Sequence, residues 1–216
     1  MTEHRLHLSL FFAALLAGAS FWPGSHLAVP FWGFVVWKTA GLGLLAIWAG
    51  LAARDRNGWL ITAVLALGAA GDAVLEFGRT AGGIVFLTGH LVAILLYRLN
   101  ARGRGDAIGV AIALVVPAIA FALTRDLDAA VYALGLGGMA GAAWASRFRR
   151  DRVALGALVF ASSDLLIFAQ DRVLAGSILP VLLIWPLYFG GQALIAYGVV
   201  TTLAREDCNE DLYRRL

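Results

Sequence analysis

Long apolar runs follow one another through nearly the whole chain, separated by short polar links that mostly carry arginine. Each run is close to the ~20 residues that an α-helix needs to cross a hydrocarbon core. In lipid a segment must satisfy its own backbone N–H and C=O groups, which restricts such runs to helices. Of the 216 residues, 61% are apolar and 14% are charged. A soluble domain is typically about half apolar and a quarter charged. The pattern therefore predicts an all-α, polytopic transmembrane helical bundle of about eight helices. We read residues 1–216 as a single integral membrane domain, with spans near 6–22, 31–53, 58–77, 82–99, 107–124, 129–146, 153–170 and 177–204.

The first run ends in FWPG and has no small-residue cleavage site, so it is expected to remain as a span. Spans are rich in Gly and Ala, as in the GLGG and GGMAGAA of the sixth, which lets helices approach closely. Trp22, Trp32, Trp59 and Trp185 are expected near span ends, where amphipathic rings favour the membrane interface. Pro117 and Pro186 fall within spans five and eight and each removes a backbone donor. The one cysteine, Cys208, excludes an intrachain disulfide and a Cys-based zinc site.

Alternate links divide sharply in charge. Arg5, Arg54, Arg56, Arg98, Arg102, Arg104, Arg147, Arg149, Arg150, Arg152, Arg205, Arg214 and Arg215 lie in one set. Only Arg79, Arg125 and Arg172 lie in the other. The positive-inside rule then puts both termini in the cytoplasm, which requires an even number of spans. The net charge of +3 resides in these links and does not point to nucleic acid. A high Ala, Gly and Arg content points to a bacterial inner (plasma) membrane as the location.

Ionisable groups inside spans are costly and usually mark function. Five are present: Lys38, Asp72, Glu76, His90 and Asp164. At a 1.5 Å rise per residue they fall within roughly 10 Å of depth of one another, with Tyr188 and Gln192 at the same level. This predicts one polar pocket toward the Arg-poor face. Asp72 and Asp164 share a depth and are the expected functional acids. GDAVLEF and SSDLLIF echo one another in spans three and seven, although so short a match does not establish a repeat.

Structural roles compete at the other positions. Glu76 is expected to pair with Arg79 at a helix end. Lys38 either snorkels or pairs with an acid, and a single interior His90 often serves as a helix-to-helix hydrogen-bond partner. Ser162 and Ser163 lack a G-x-S-x-G elbow. His4 and His7 lie at the N-terminus and His26 in a link, so no metal site and no cofactor are expected, and no phosphate-binding loop or dinucleotide fingerprint is present.

These residues resemble the YhhN family of membrane proteins, which includes the animal lysoplasmalogenases. The matching pieces are Lys38, Gly71-Asp72 with Leu75, Phe86-x-x-x-His90, Gly156-Ala157-x-x-Phe160-x-x-Ser163-Asp164 and Tyr188-x-x-x-Gln192-x-Leu194-Ile195. Thr39 stands where the family usually has proline, and Tyr188-Phe189 replaces its double tyrosine. The resemblance implies a hydrolase that cleaves the vinyl-ether bond of lysoplasmalogens and releases a fatty aldehyde. The implied partners are a lysophospholipid substrate and the lipid bilayer. Asp72 and Asp164 would be the catalytic pair, by analogy with the two carboxyl groups of glycoside hydrolases. Lys38, His90, Tyr188, Gln192, Glu76 and Ser163 would bind or orient substrate and water. The alternative class is a non-enzymatic lipid or small-solute transporter whose intramembrane acids relay protons. A purely structural membrane protein would leave the five interior ionisable groups without a reason.

Overall fold

The computed structural model describes residues 2–103 and 106–215, with side chains over residues 5–103 and 106–208. Arg104 of the charge argument lies outside the described residues, as do the side chains of His4, Arg214 and Arg215. Among the described residues eight α-helices follow in order: α1 Thr2–Gly24, α2 Phe31–Ala52, α3 Arg56–Leu75, α4 Arg79–Leu99, α5 Ala107–Thr124, α6 Leu127–Ala145, α7 Leu155–Gln170 and α8 Leu179–Arg215. No strand occurs among the described residues. Among the described residues seven helical segments are long and apolar enough to cross a membrane, and the exception is α6. Its many Gly and Ala residues lower its apolarity, and α4, α5 and α7 pack around it.

Helix ends depart from the expected boundaries where polar residues continue a helix beyond its apolar part. The last helix runs on to Arg215 rather than ending near 204. The seventh is preceded by a π-helical turn, Arg150–Ala154, so its helical path begins before residue 153. Three starts are capped by aspartate: Asp55 accepts from Gly58 N at 2.8 Å, Asp106 from Ile108 N and Gly109 N, and Asp126 from Asp128 N. Each cap satisfies donors that the first turn leaves unpaired.

Sequential helices pack as neighbours except α4 and α5, which both pack against α6 instead, and α8 also packs against α1, α2 and α3. Leu42, Leu65, Leu136, Ala157, Ile195 and Val199 are fully buried between them. Outward-facing residues such as Leu16, Val36 and Leu114 are equally apolar, as a lipid-facing surface requires. Burial from water therefore does not hold the helices together, and close packing does. Glycine makes it possible at the α7–α8 crossing. A Cβ on Gly191 would lie 2.7 Å from the Gly156 carbonyl oxygen, and a Cβ on Gly156 would lie 2.7 Å from that of Gly191. Gly109 and Gly141 oppose each other in the same way across α5 and α6.

The Arg-rich links gather at one end of the bundle. Asn100 anchors them. Its amide donates to Asn57 Oδ1 and Leu96 O, both at 2.8 Å, and its Oδ1 accepts from Arg147 Nε at 2.7 Å. Ala101 and Ser146 form an antiparallel bridge beside it. Arg147 also pairs with Glu206 of α8. The Arg-poor links meet at the opposite end, where Arg172 Nη1 donates to Thr124 O at 2.7 Å.

Candidate active site

A cavity of about 720 Å³ opens at the Arg-poor end. Asp72 of α3 and Asp164 of α7 both line it, and they are only 2% and 6% exposed. Each carboxylate accepts a hydrogen bond from a tyrosine on another helix. Tyr188 of α8 donates to Asp72 Oδ2 at 2.9 Å. Tyr132 of α6 donates to Asp164 Oδ2 at 2.8 Å. Ser163 Oγ donates to Ile184 O at 2.9 Å and thereby ties α7 to α8 beside Asp164. Small residues permit this assembly. A Cβ on Gly71 would lie 2.8 Å from the Phe86 ring, so glycine before Asp72 lets that ring rest on α3.

Lys38 also lines the cavity, with Nζ 2.5 Å from Glu76 Oε1. Glu76 therefore does not pair with Arg79, as its position at the helix end had led us to expect. The lysine rises from α2 beside the C-cap of α3, and a half-buried ammonium takes the nearer carboxylate. Arg79 instead lies 4.0 Å from Asp171.

His90 and Gln192 do not join the acids in this cavity. They line a second, much smaller space of about 10 Å³, together with Tyr97 and Phe160. The Phe160 ring lies between the two, 5.4 Å from the His90 ring and 5.5 Å from that of Tyr188. Equal depth along the helices placed these groups at one level, but an aromatic wall divides that level. His90 still reaches Asp164 through Tyr132, whose hydroxyl lies 3.2 Å from His90 Nε2. With its proton directed to Asp164, the Tyr132 oxygen accepts from Nε2–H. A chain of hydrogen bonds thus joins α4, α6 and α7.

Residues 33–199, more than half of the chain, match the YhhN family. The chain belongs to the YhhN family. No curated protein and no solved structure matches it. The YhhN match begins in α2 and ends in α8, so it takes in every helix that lines the cavity.

Tyr132 is not among the residues that the sequence singled out. The available signal was a hydroxyl in the Gly- and Ala-rich sixth span, where a buried phenol requires a partner. Trp185, expected near the membrane interface, also packs within the bundle. Its Nε1 donates to Gly18 O at 2.7 Å, and its ring lies 4.4 Å from that of Phe21. Among the described residues no three His, Cys, Asp or Glu side chains converge as a metal site would need.

Proposed function

We propose that this protein is a membrane hydrolase that cleaves the vinyl-ether bond of a lysoplasmalogen or a related lysolipid. The observation that supports this reading is a pair of buried carboxyl groups in one membrane-depth cavity, each held by a tyrosine hydroxyl. The chain's YhhN membership agrees with it.

The chemistry requires an acid and a base and no redox partner. One aspartic acid protonates the alkene carbon remote from the ether oxygen, and an oxocarbenium ion forms. The second carboxylate stabilises that cation and takes a proton from water as the water adds to it. The resulting hemiacetal collapses to a fatty aldehyde and the free glycerol hydroxyl. Glycosidases divide an oxocarbenium reaction between two carboxyl groups in the same manner. The apolar part of the lining, including Leu75, Phe86, Ile167 and Phe168, offers a surface for the alkyl chain.

The test is aldehyde release from a lysoplasmalogen by the purified protein in detergent, with wild type beside Asp72→Asn and Asp164→Asn. The expected result is release by wild type and none by either variant, both remaining folded. Full activity in both variants would overturn the assignment of the acids.

A further inference from the structure

The interior cation of the cavity is already engaged, because Lys38 is paired with Glu76. The uncommitted charge lies at the mouth. Arg79, Asp126, Asp171 and Arg172 all line the cavity there. Arg79 and Asp171 are largely exposed and stand 4.0 Å apart, a separation at which each retains capacity for another partner. Arg172 is held by one bond to a backbone carbonyl, and among the described residues it has no carboxylate within salt-bridge distance. Asp126 uses one oxygen to cap α6. Two cations and two anions therefore line one opening.

We propose that Arg79 and Arg172 form a phosphate subsite, and that Asp126 and Asp171 beside them receive the ammonium of a zwitterionic headgroup. The inference rests on the lysolipid reading above and names the groups that select its substrate. A purely anionic headgroup meets both carboxylates without offering them a cation. A headgroup without phosphate leaves both guanidinium groups unused. A phosphate ester carrying an amine satisfies all four. Arginine also suits the task, because its planar fork matches phosphate oxygens.

The spacing agrees. Arg79 follows Asp72 by seven residues and Arg172 follows Asp164 by eight. Asp72 lies three residues before the end of α3 and Asp164 six before the end of α7, so at 1.5 Å per residue the helix ends stand about 5–9 Å above the acids, with Arg79 and Arg172 just past them. A glycerol unit joins phosphate to vinyl ether across such a gap. A phosphate at the mouth thus sets the ether at the level of Asp72 and Asp164 and directs the tail into the apolar lining.

The test measures binding, so that it does not depend on turnover. Saturated 1-alkyl-glycerophosphoethanolamine and 1-alkylglycerol are titrated into the full-length protein in detergent, in wild type and in an Arg79→Gln/Arg172→Gln double variant. Wild type is expected to prefer the phosphate-bearing lipid by about tenfold or more, the scale of charge-assisted hydrogen bonds. The double variant loses that preference and binds 1-alkylglycerol as wild type does, which also shows that it is folded. A preference that survives in the double variant, or is absent from wild type, overturns the subsite. Inorganic phosphate is expected not to displace the lipid at concentrations where the lipid saturates; displacement there would overturn the lipid headgroup as its source. Wild type is expected to bind 1-alkyl-glycerophosphate more weakly than the ethanolamine lipid, with Asp171→Asn narrowing the difference. Equal binding in wild type overturns the zwitterion assignment. Absence of aldehyde release alongside an intact headgroup preference would remove the hydrolase reading alone.

Discussion

The hydroxyl of Tyr132 donates to Oδ2 of Asp164 at 2.8 Å, from a helix that supplies no acid of its own to the cavity floor. Its oxygen also stands 3.2 Å from His90 Nε2, so one phenol joins an acid to a histidine behind an aromatic wall. Tyr132→Phe keeps the ring and removes both bonds. The expected outcome is a ten- to hundredfold fall in kcat for aldehyde release, about the worth of one hydrogen bond to an ionisable acceptor. An unchanged kcat would sink the role assigned to this tyrosine.

Tyr97 provides the contrast. It is fully buried, and among the described residues its hydroxyl has no hydrogen-bond partner. Replacing such a group by an apolar one of the same shape is nearly neutral or stabilising. Tyr97→Phe is therefore expected to hold or raise the thermal midpoint in detergent. A clear fall would show that the hydroxyl is engaged after all.

The Lys38–Glu76 pair is only 15% and 24% exposed, so loss of one partner leaves a poorly solvated charge. Lys38→Met is expected to destabilise the protein by about 1–3 kcal/mol. The Lys38→Met/Glu76→Gln double variant should recover part of this loss, because neither charge is then stranded. Thermal unfolding of wild type, Lys38→Met, Glu76→Gln and the double variant measures the coupling, and strictly additive losses would deny it.

Two adjacent glycines separate packing from local helix propensity. A Cβ on Gly191 meets the Gly156 carbonyl oxygen at 2.7 Å, whereas one on Gly190 meets nothing within 4 Å. Gly191→Ala must push α7 away from α8 and is expected to lower stability by about 1–3 kcal/mol. Because α7 carries Asp164 and α8 carries Tyr188, activity should fall with it. Gly190→Ala is expected to be neutral or slightly stabilising, since alanine favours helix. Equal effects at both positions would contradict the crossing geometry.

The bundle was legible because lipid imposes one rule on every span, and periodicity was scarcely needed. Asp72 and Asp164 were legible for the same reason, as charged groups stand out against hydrocarbon. Which groups share a compartment was not. Depth along a helix follows from counting residues, but rotation about its axis follows from packing. Lys38 turned to Glu76, and His90 and Gln192 fell behind the Phe160 ring. Tyr132 stayed hidden because a phenol carries no formal charge and, unlike Tyr188, it lies in none of the segments that carried the resemblance. Arg79 and Arg172 read as ordinary link residues until the helix ends were brought together around one mouth.

The seam around Asn100 binds the Arg-rich links in a mesh of short hydrogen bonds, whereas the cavity mouth is crossed by the Arg172–Thr124 bond and the wide Arg79–Asp171 pair. Mechanically, this is a tuning fork. Prongs fixed at the base deflect most at their tips, so a small bend in each helix accumulates into the widest aperture at the rim. For the lysolipid proposed above, that rim would be the place of entry, opened by elastic splaying while the stem stays still.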